Sequence, residues 1–262
     1  MRAESATAES AGSGQNVVKS ADRALVILEL LSRGRHRLSD IAETLRLPLS
    51  SAHGLLGTLV HRGFAEFDPA SRTYGLGLKA WTVGQGYAGH RDLVGLASPL
   101  MDGLAQDTGE TVQLSRLDGT ENVSIAIAES PQSMKLVSAV GMRLPAHAVA
   151  LGKALLAGLP PDELRRRYRG AELQRCTANT VRDPEELFTE VELTKQRGYA
   201  VDDEEYIIGC RCVAMPIRDH SGEVVAALSV AAPTPRCGPD WTDLTRVPLA
   251  AAVDALQRQL RR

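Results

Sequence analysis

Residues 38–76 read LSDIAETLRLPLSSAHGLLGTLVHRGFAEFDPASRTYGL, a stretch that holds two helical periods followed by two short strand-like runs. The spacing predicts a short helix from Ser39, a candidate N-cap, through Ile41, Ala42 and Leu45, ending ahead of Leu47-Pro48. A longer helix follows from about Ser50 to Arg62, where Ala52, Leu55, Leu56 and Leu59 recur at i, i+3, i+4 and i+7 and form one buried stripe. Gly63 stands where a glycine commonly ends a helix. Beyond it, Phe64-Ala65-Glu66-Phe67 and Thr73-Tyr74-Gly75-Leu76 flank the turn Asp68-Pro69-Ala70-Ser71, as in a hairpin. Upstream, Ala21, Ala24, Leu25, Leu28 and Leu31 mark a further helix that stops near residues 32–34. Three helices and a hairpin in this order make a winged helix-turn-helix.

In such a unit the second helix of the pair enters the major groove of DNA while the first crosses the backbone. The face opposite the buried stripe is centred on Ser50, Gly54, Gly57 and His61 and flanked by Ser51, His53 and Thr58. Small hydroxyls and imidazoles there can contact phosphates or base edges. Ser50 and Ser51 can equally serve as N-capping residues, and the two roles are compatible. Two glycines inside a helix cost about 1 kcal/mol each relative to alanine, so either DNA approaches the backbone closely or the reading head is slack. Arg46 at the turn and Arg72 at the wing tip are candidates for phosphate or minor-groove contacts. Arg35 and Arg37 in the loop before the second helix are weaker ones.

Composition sets the frame. A chain of 262 residues, 44% apolar and 24% charged, suits two soluble globular domains. Its net charge of −2 argues against a general nucleic-acid-coating protein, yet residues 1–80 hold ten Lys/Arg against eight Asp/Glu, so the basic excess lies with the winged helix. The longest apolar stretch, residues 146–159, is interrupted by His147, Gly152 and Lys153 and is too short to span a bilayer. Residues 1–15 lack the apolar core of a signal peptide and read as a disordered arm. A cytoplasmic protein with no membrane partner is expected. Cysteines 176, 210, 212 and 237 are too few and scattered for a disulfide framework.

The remainder mixes element types. A helical stretch over 77–100 would connect the halves. Strands are expected at 111–117, 123–129, 135–140, 213–217 and 224–230, and helices at 148–157, 185–197 and 244–260. This is an α+β arrangement. The expected division is an arm over 1–17, a DNA-binding domain over 18–80, a linker helix over 81–100 and a sensor domain over 101–262.

The run VKSADRALVILELLSRGRHRLSDIAETLRLPLSSAHGLLGTLVHRGFAEFDPASRTYGLGLKAWTVG, residues 18–84, resembles the N-terminal domain of the IclR family of bacterial transcription regulators. VGMRLPAHAVALGKALLA, residues 140–157, and RGYAVDDEEYIIGCRCVAMPIRDHSGEVVAALSVAAP, residues 197–233, resemble that family's effector-binding domain. The chain departs from the family pattern at Leu49 and Gly54, where basic residues are usual. The resemblance implies a GAF-like second domain, a central antiparallel sheet flanked by helices. It also implies an effector pocket lined by Met142, Leu144, Ala150, Leu151, Asp202, Cys212 and Ser229. The residue types fit: a helix starting near His147 would favour an anion such as a carboxylate, Ser229 can donate, and Asp202 can accept.

Other chemistries are poorly supplied. Asp202 opens the acidic run Asp202-Asp203-Glu204-Glu205, which on its own reads as a solvated loop. A single C-x-C, Cys210 and Cys212, lacks the spacing of a zinc site, and no cofactor is implied. His147 and Cys212 could form a base and nucleophile, but no orienting third residue accompanies them. Lys153 reads as structural. The expectation is therefore a repressor that binds a pseudo-palindromic double-stranded operator as a dimer or tetramer and responds to a small organic acid. The rival readings are an enzyme built on the C-terminal domain and a winged-helix protein-interaction module.

Overall fold

A computed structural model describes residues 17–86, 93–136 and 138–261. The chain divides into two compact units, one up to residue 89 and one from residue 90. The expected arm falls, Val17 apart, outside the described residues, as does the middle of the expected linker helix.

In the first unit, helices α1 (Lys19–Leu31), α2 (Leu38–Thr44) and α3 (Leu49–His61) pack around Ile27, Leu31, Ile41, Leu56 and Leu59. The wing is richer than a hairpin. The short strand β1 (His36–Arg37) pairs with β3 (Thr73–Leu76), which pairs with β2 (Ala65–Asp68), giving the order β1-β3-β2. Helix starts also differ from expectation. Helix α2 begins at Leu38, ahead of Ser39, and the Asp40 carboxylate accepts from the Arg37 backbone N–H at 3.3 Å. Helix α3 begins at Leu49 behind Pro48 and has no side-chain cap, so Ser50 and Ser51 lie inside its first turn. Gly63 takes φ +79°, the left-handed conformation that closes a helix without a Cβ clash. Helix α4 (Leu78–Gln85) ends the unit.

The second unit is built on one antiparallel sheet. Strands β4 (Thr111–Asp118), β5 (Glu121–Ala128), β6 (Arg143–Pro145), β7 (Ala200–Asp203), β8 (Cys210–Arg218) and β9 (Val224–Pro233) stand in the order β6-β5-β4-β9-β8-β7. One face carries Val112, Leu114, Val213, Leu228 and Val230 against α5 (Leu93–Thr108) and the long C-terminal helix α9 (Trp241–Leu260). On the other face Ala200, Ala214 and Ala227 meet α6 (Ala150–Leu156), and α7 (Pro161–Arg167) and α8 (Pro184–Arg197) pack outside it. Small alanines on the sheet let α6 sit close.

Three expectations are corrected here. Among the described residues of 135–140 there is no strand; the edge strand is Arg143–Pro145, placed after a turn at Gly141 with φ +84°. Helix α6 does not start near His147. Ala146–Ala148 form a 3-10 turn, Val149 is extended at φ −128°, ψ 145°, and the α-helix begins at Ala150. Gly152 makes this close junction possible, since a Cβ there would lie 2.1 Å from the Ala146 carbonyl oxygen. The expected 77–100 helix is described as α4 and the first part of α5, whose Ala97 and Met101 are buried in the second unit's core.

Sequence periodicity missed one device in the sheet. Leu114 pairs with Ala126, but Ser115 pairs with Ser124, so Ile125 is an extra residue in β5. This bulge reverses the strand's facing. Ala126 and Ala128 join the α5/α9 core, while Asn122 and Ser124 fall on the α6 side together with Ser115.

Candidate DNA-reading face and effector cavity

Helix α3 buries Ala52, Leu56 and Leu59 and exposes Ser50, His53, Gly54, Gly57, Thr58 and His61, with Ser51 half-buried. The Thr58 hydroxyl donates to the Gly54 carbonyl at 3.0 Å. Arg46 and Arg72 are exposed and take left-handed backbone, φ 50° and 55°. Non-glycine residues there cost roughly 1–2 kcal/mol, so both arginines are held in unfavourable turns that present their side chains outward. Arg35 is otherwise engaged: its guanidinium donates to Glu66 at 2.6 Å and to Thr73 at 3.2 Å, bracing the wing. Two basic residues that periodicity did not single out also belong to this surface. Lys19 and Arg23 of α1 line a shallow groove with Ser51, Gly54 and Thr58 of α3. Their signal lay in the folded arrangement, because only tertiary packing sets α1 beside the first turns of α3.

A Cβ added at Gly54 or Gly57 would meet nothing within 4 Å. Gly54→Ala and Gly57→Ala are therefore expected to stabilise the free protein by up to about 1 kcal/mol each. Thermal or urea unfolding checks this. A loss of stability would mean that the helix needs glycine for its own geometry rather than for what approaches it.

The second unit holds a cavity of about 270 Å³ between the sheet and the start of α6. Met142, Leu144, Ala150, Leu151, Asp202, Cys212 and Ser229 all line it. Cross-strand registers explain why: Asp202 faces Cys212, Cys212 faces Ala231, and Ser229 faces Gln113. Residues without a sequence signal complete it, notably Gln113, Asn122, Ser138 and Tyr206. Among the described residues, no Lys, Arg or His lines it.

Asp202 is only 3% exposed, in contrast to the solvated-loop reading of its acidic run. Burial pushes its carboxyl up to about 7, while the Glu205 backbone N–H, donating to Oδ1 at 2.7 Å, pulls the other way. The loop that follows is pinned by Lys153, 1% exposed, whose Nζ lies 2.6 Å from Glu205 and 3.8 Å from Glu190. Thr177 and Thr180 donate to the Glu205 carbonyl at 3.1 and 2.6 Å. Lys153 is thus a structural tie, as its sequence context implied.

The nucleophile and base pair does not assemble. His147 does not line the cavity; its ring N–H donates to the Gln174 carbonyl at 2.9 Å, and burial lowers its basicity. The Cys212 thiol, 3.6 Å from Cys210, is held well above its ordinary value by that sulfur contact and by burial, so it stays protonated. A protonated thiol is a poor nucleophile.

A winged helix joined to a domain with a largely apolar cavity defines a ligand-responsive DNA-binding regulator. Known families agree. Residues 20–69 match the IclR helix-turn-helix domain, and residues 85–258 match the family described as "Bacterial transcriptional regulator IclR C-terminal". The chain is 37% identical over 220 residues to the HTH-type transcriptional regulator BhcR of Paracoccus denitrificans, covering 84% of this chain and 79% of that one. It is 35% identical over 228 residues to the HTH-type transcriptional repressor AllR of Escherichia coli K12, covering 86% and 84%. Among solved structures it resembles Thermotoga maritima IclR, with TM-score 0.76, 31% identity and 94% and 100% of the two chains covered. An IclR homologue from Microbacterium hydrocarbonoxydans, solved with 4-hydroxybenzoate, gives TM-score 0.80 at 27% identity over 92% and 98% of the chains. The chain belongs to the IclR family of bacterial transcription regulators. It is a DNA-binding regulator. Among the described residues no helix is long and apolar enough to cross a membrane.

Proposed function

We propose that the chain is a cytoplasmic repressor that binds a pseudo-palindromic operator as a dimer or tetramer and is controlled by a small organic acid. The DNA-binding head comprises residues 18–80, residues 81–100 link it to the sensor, and residues 101–262 sense the effector. Arg46, Ser50, Ser51, His53, Gly54, Gly57, Thr58, His61 and Arg72 form the reading face, with Lys19 and Arg23 added as phosphate contacts. The observation that carries the effector reading is the cavity in which Asp202, Cys212 and Ser229 meet the start of α6. At about 270 Å³ it lies just under the range that holds drug-sized ligands, which suits a metabolite. The relative solved with 4-hydroxybenzoate supports the same chemical class.

The expected helix start at His147 does not supply the anion preference, so Asp202 carries it in another way. With a carboxyl that titrates near 7, a protonated Asp202 can donate to a ligand carboxylate and share its proton. The sign follows directly. Below pH 7 the neutral form accepts an anionic ligand; above it, two carboxylates repel. Affinity for an acid effector should fall by up to about tenfold per pH unit above 7, and Asp202→Asn should flatten the profile. Calorimetry with 4-hydroxybenzoate at pH 6 and pH 8 checks it, and tighter binding at the higher pH would reject the shared-proton model. Footprinting on the gene's own upstream region, with and without a panel of metabolic acids, tests the reading as a whole. Coupling of about 1–3 kcal/mol between effector and operator is expected, acting equally in both directions.

A further inference from the structure

Asn122 is 0% exposed, lines the cavity, and has neither Oδ1 nor Nδ2 hydrogen-bonded by any described residue. On the same face of the β4/β5 ladder, Ser115 and Ser124 sit directly opposite each other, and both hydroxyls also lack a partner. Four buried polar atoms in a row are unusual, because folded proteins pair nearly all such groups. The β5 bulge is what aims them: without the extra Ile125, Asn122 would fall on the face of the α5/α9 core. Asn122 and Asp202 line the same cavity from different strands, β5 and β7. Between β5 and β7 stand β4, β9 and β8, which carry Gln113, Ser229 and Cys212 into the same lining.

We propose that Asn122 is a specificity-determining residue of this cavity, receiving a second, uncharged hydrogen-bonding group of the effector, a hydroxyl or a carboxamide, apart from the acid group that Asp202 meets. This rests on the effector-cavity reading above. The chemistry of the amide selects the class. Oδ1 only accepts and Nδ2 only donates, so a group that does both satisfies each atom. A carboxylate would use Nδ2 alone and set its charge against Oδ1. An ammonium would use Oδ1 alone, and a methyl group would leave both unmet. The neighbouring lining residues Leu136, Met142 and Leu144 are apolar, and Ser138 is neutral, so no charged side chain offsets an ionic group there. The effector thus carries an uncharged polar group besides its acid group.

The test compares 4-hydroxybenzoate with 4-methylbenzoate, which differ in the polar group alone, on the full-length protein by calorimetry. The wild type is expected to prefer the hydroxyl compound by about 5- to 150-fold, the range set by leaving buried polar groups unmet. Asn122→Val should remove or reverse that preference. It should also keep or raise the melting temperature of the ligand-free protein, since an orphaned amide is replaced by a similar apolar volume. If Asn122→Val fails to fold, Asn122→Ser carries the same comparison and is expected to narrow the preference. Equal affinity of the wild type for the two benzoates, or an unchanged preference in Asn122→Val, overturns this inference and leaves the effector cavity standing. A lower ligand-free melting temperature with the preference intact assigns Asn122 to the fold and overturns it too. No binding of either benzoate, or of any acid in the footprinting panel, overturns the cavity reading and this inference together.

Discussion

Lys153→Met should cost the second unit about 3–5 kcal/mol, the usual penalty for stripping one partner from a buried ion pair. Lys153 is 1% exposed, and its ammonium lies between Glu205 and Glu190. Its loss leaves two shielded carboxylates facing each other. Glu190 keeps a second partner, Arg197 at 2.6 Å, whereas Glu205 has no other cation within ion-pair distance among the described residues, and its Oε2 is already unpaired. Burial holds the Glu205 carboxyl above its ordinary value even with Lys153 present. Without the lysine it rises further, so the folded variant takes up a proton that the unfolded chain, with an ordinary glutamate, does not. The defect should therefore be smaller at pH 5 than at pH 8. Pairing Lys153→Met with Glu205→Gln should recover much of the loss, because no uncompensated charge then remains at that carboxyl. Urea unfolding of the two variants at both pH values measures this. A Lys153→Met protein within about 1 kcal/mol of wild type at pH 8 would show that the network is solvated and contributes little. The consequence reaches the cavity, since the Glu205 backbone N–H holds Asp202 Oδ1.

How much of this was legible in the sequence follows the range of the interactions. The α3 stripe of Ala52, Leu55, Leu56 and Leu59 is a local periodicity, so most of it survives translation into structure: three of the four are buried and Leu55 is half-buried. The seven residues that now surround one cavity were assigned through family resemblance rather than through any pattern of their own. Asp202 illustrates why. Four consecutive acids look solvated, and only the β7/β8 register with Cys212 and the Lys153 tie reveal that the first of them is buried. Asn122 was invisible for a different reason: ENVSIAIA, residues 121–128, alternates so regularly that it reads as a single facing, and the bulge at Ile125 that reverses it has no residue signature. The expected strand over 135–140 failed because β-favouring side chains do not decide pairing; β5 takes its edge partner from Arg143–Pro145 instead. The wing's third strand, His36–Arg37, is two residues long, below what alternation can detect.

Separating the two units should weaken operator binding by about 10²- to 10⁴-fold, the range expected when linked heads become independent. The first unit has a core of its own, formed by Ile27, Leu30, Leu31, Ile41, Leu56, Leu59 and Ala65, so a fragment of residues 1–89 is expected to fold. Its reading face is intact but small. In the proposed reading one α3 helix covers one half-site, with Lys19, Arg23, Arg46 and Arg72 as its phosphate contacts. A pseudo-palindromic operator offers two such half-sites about one helical turn apart. If the second unit holds two or more heads together, engagement of one half-site makes the second intramolecular, and the gain requires no new contact. Two measurements separate this from a damaged head. The salt slope of the fragment should be roughly half that of the full chain, because half as many counterions are released. Fusing the fragment to a parallel two-stranded coiled coil through a flexible linker should restore most of the lost affinity. Titration of a fluorescent operator with fragment, fusion and full chain provides all three values. Equal affinity of fragment and full chain would show that one head suffices. A fusion no better than the fragment would locate part of the DNA contact in the second unit.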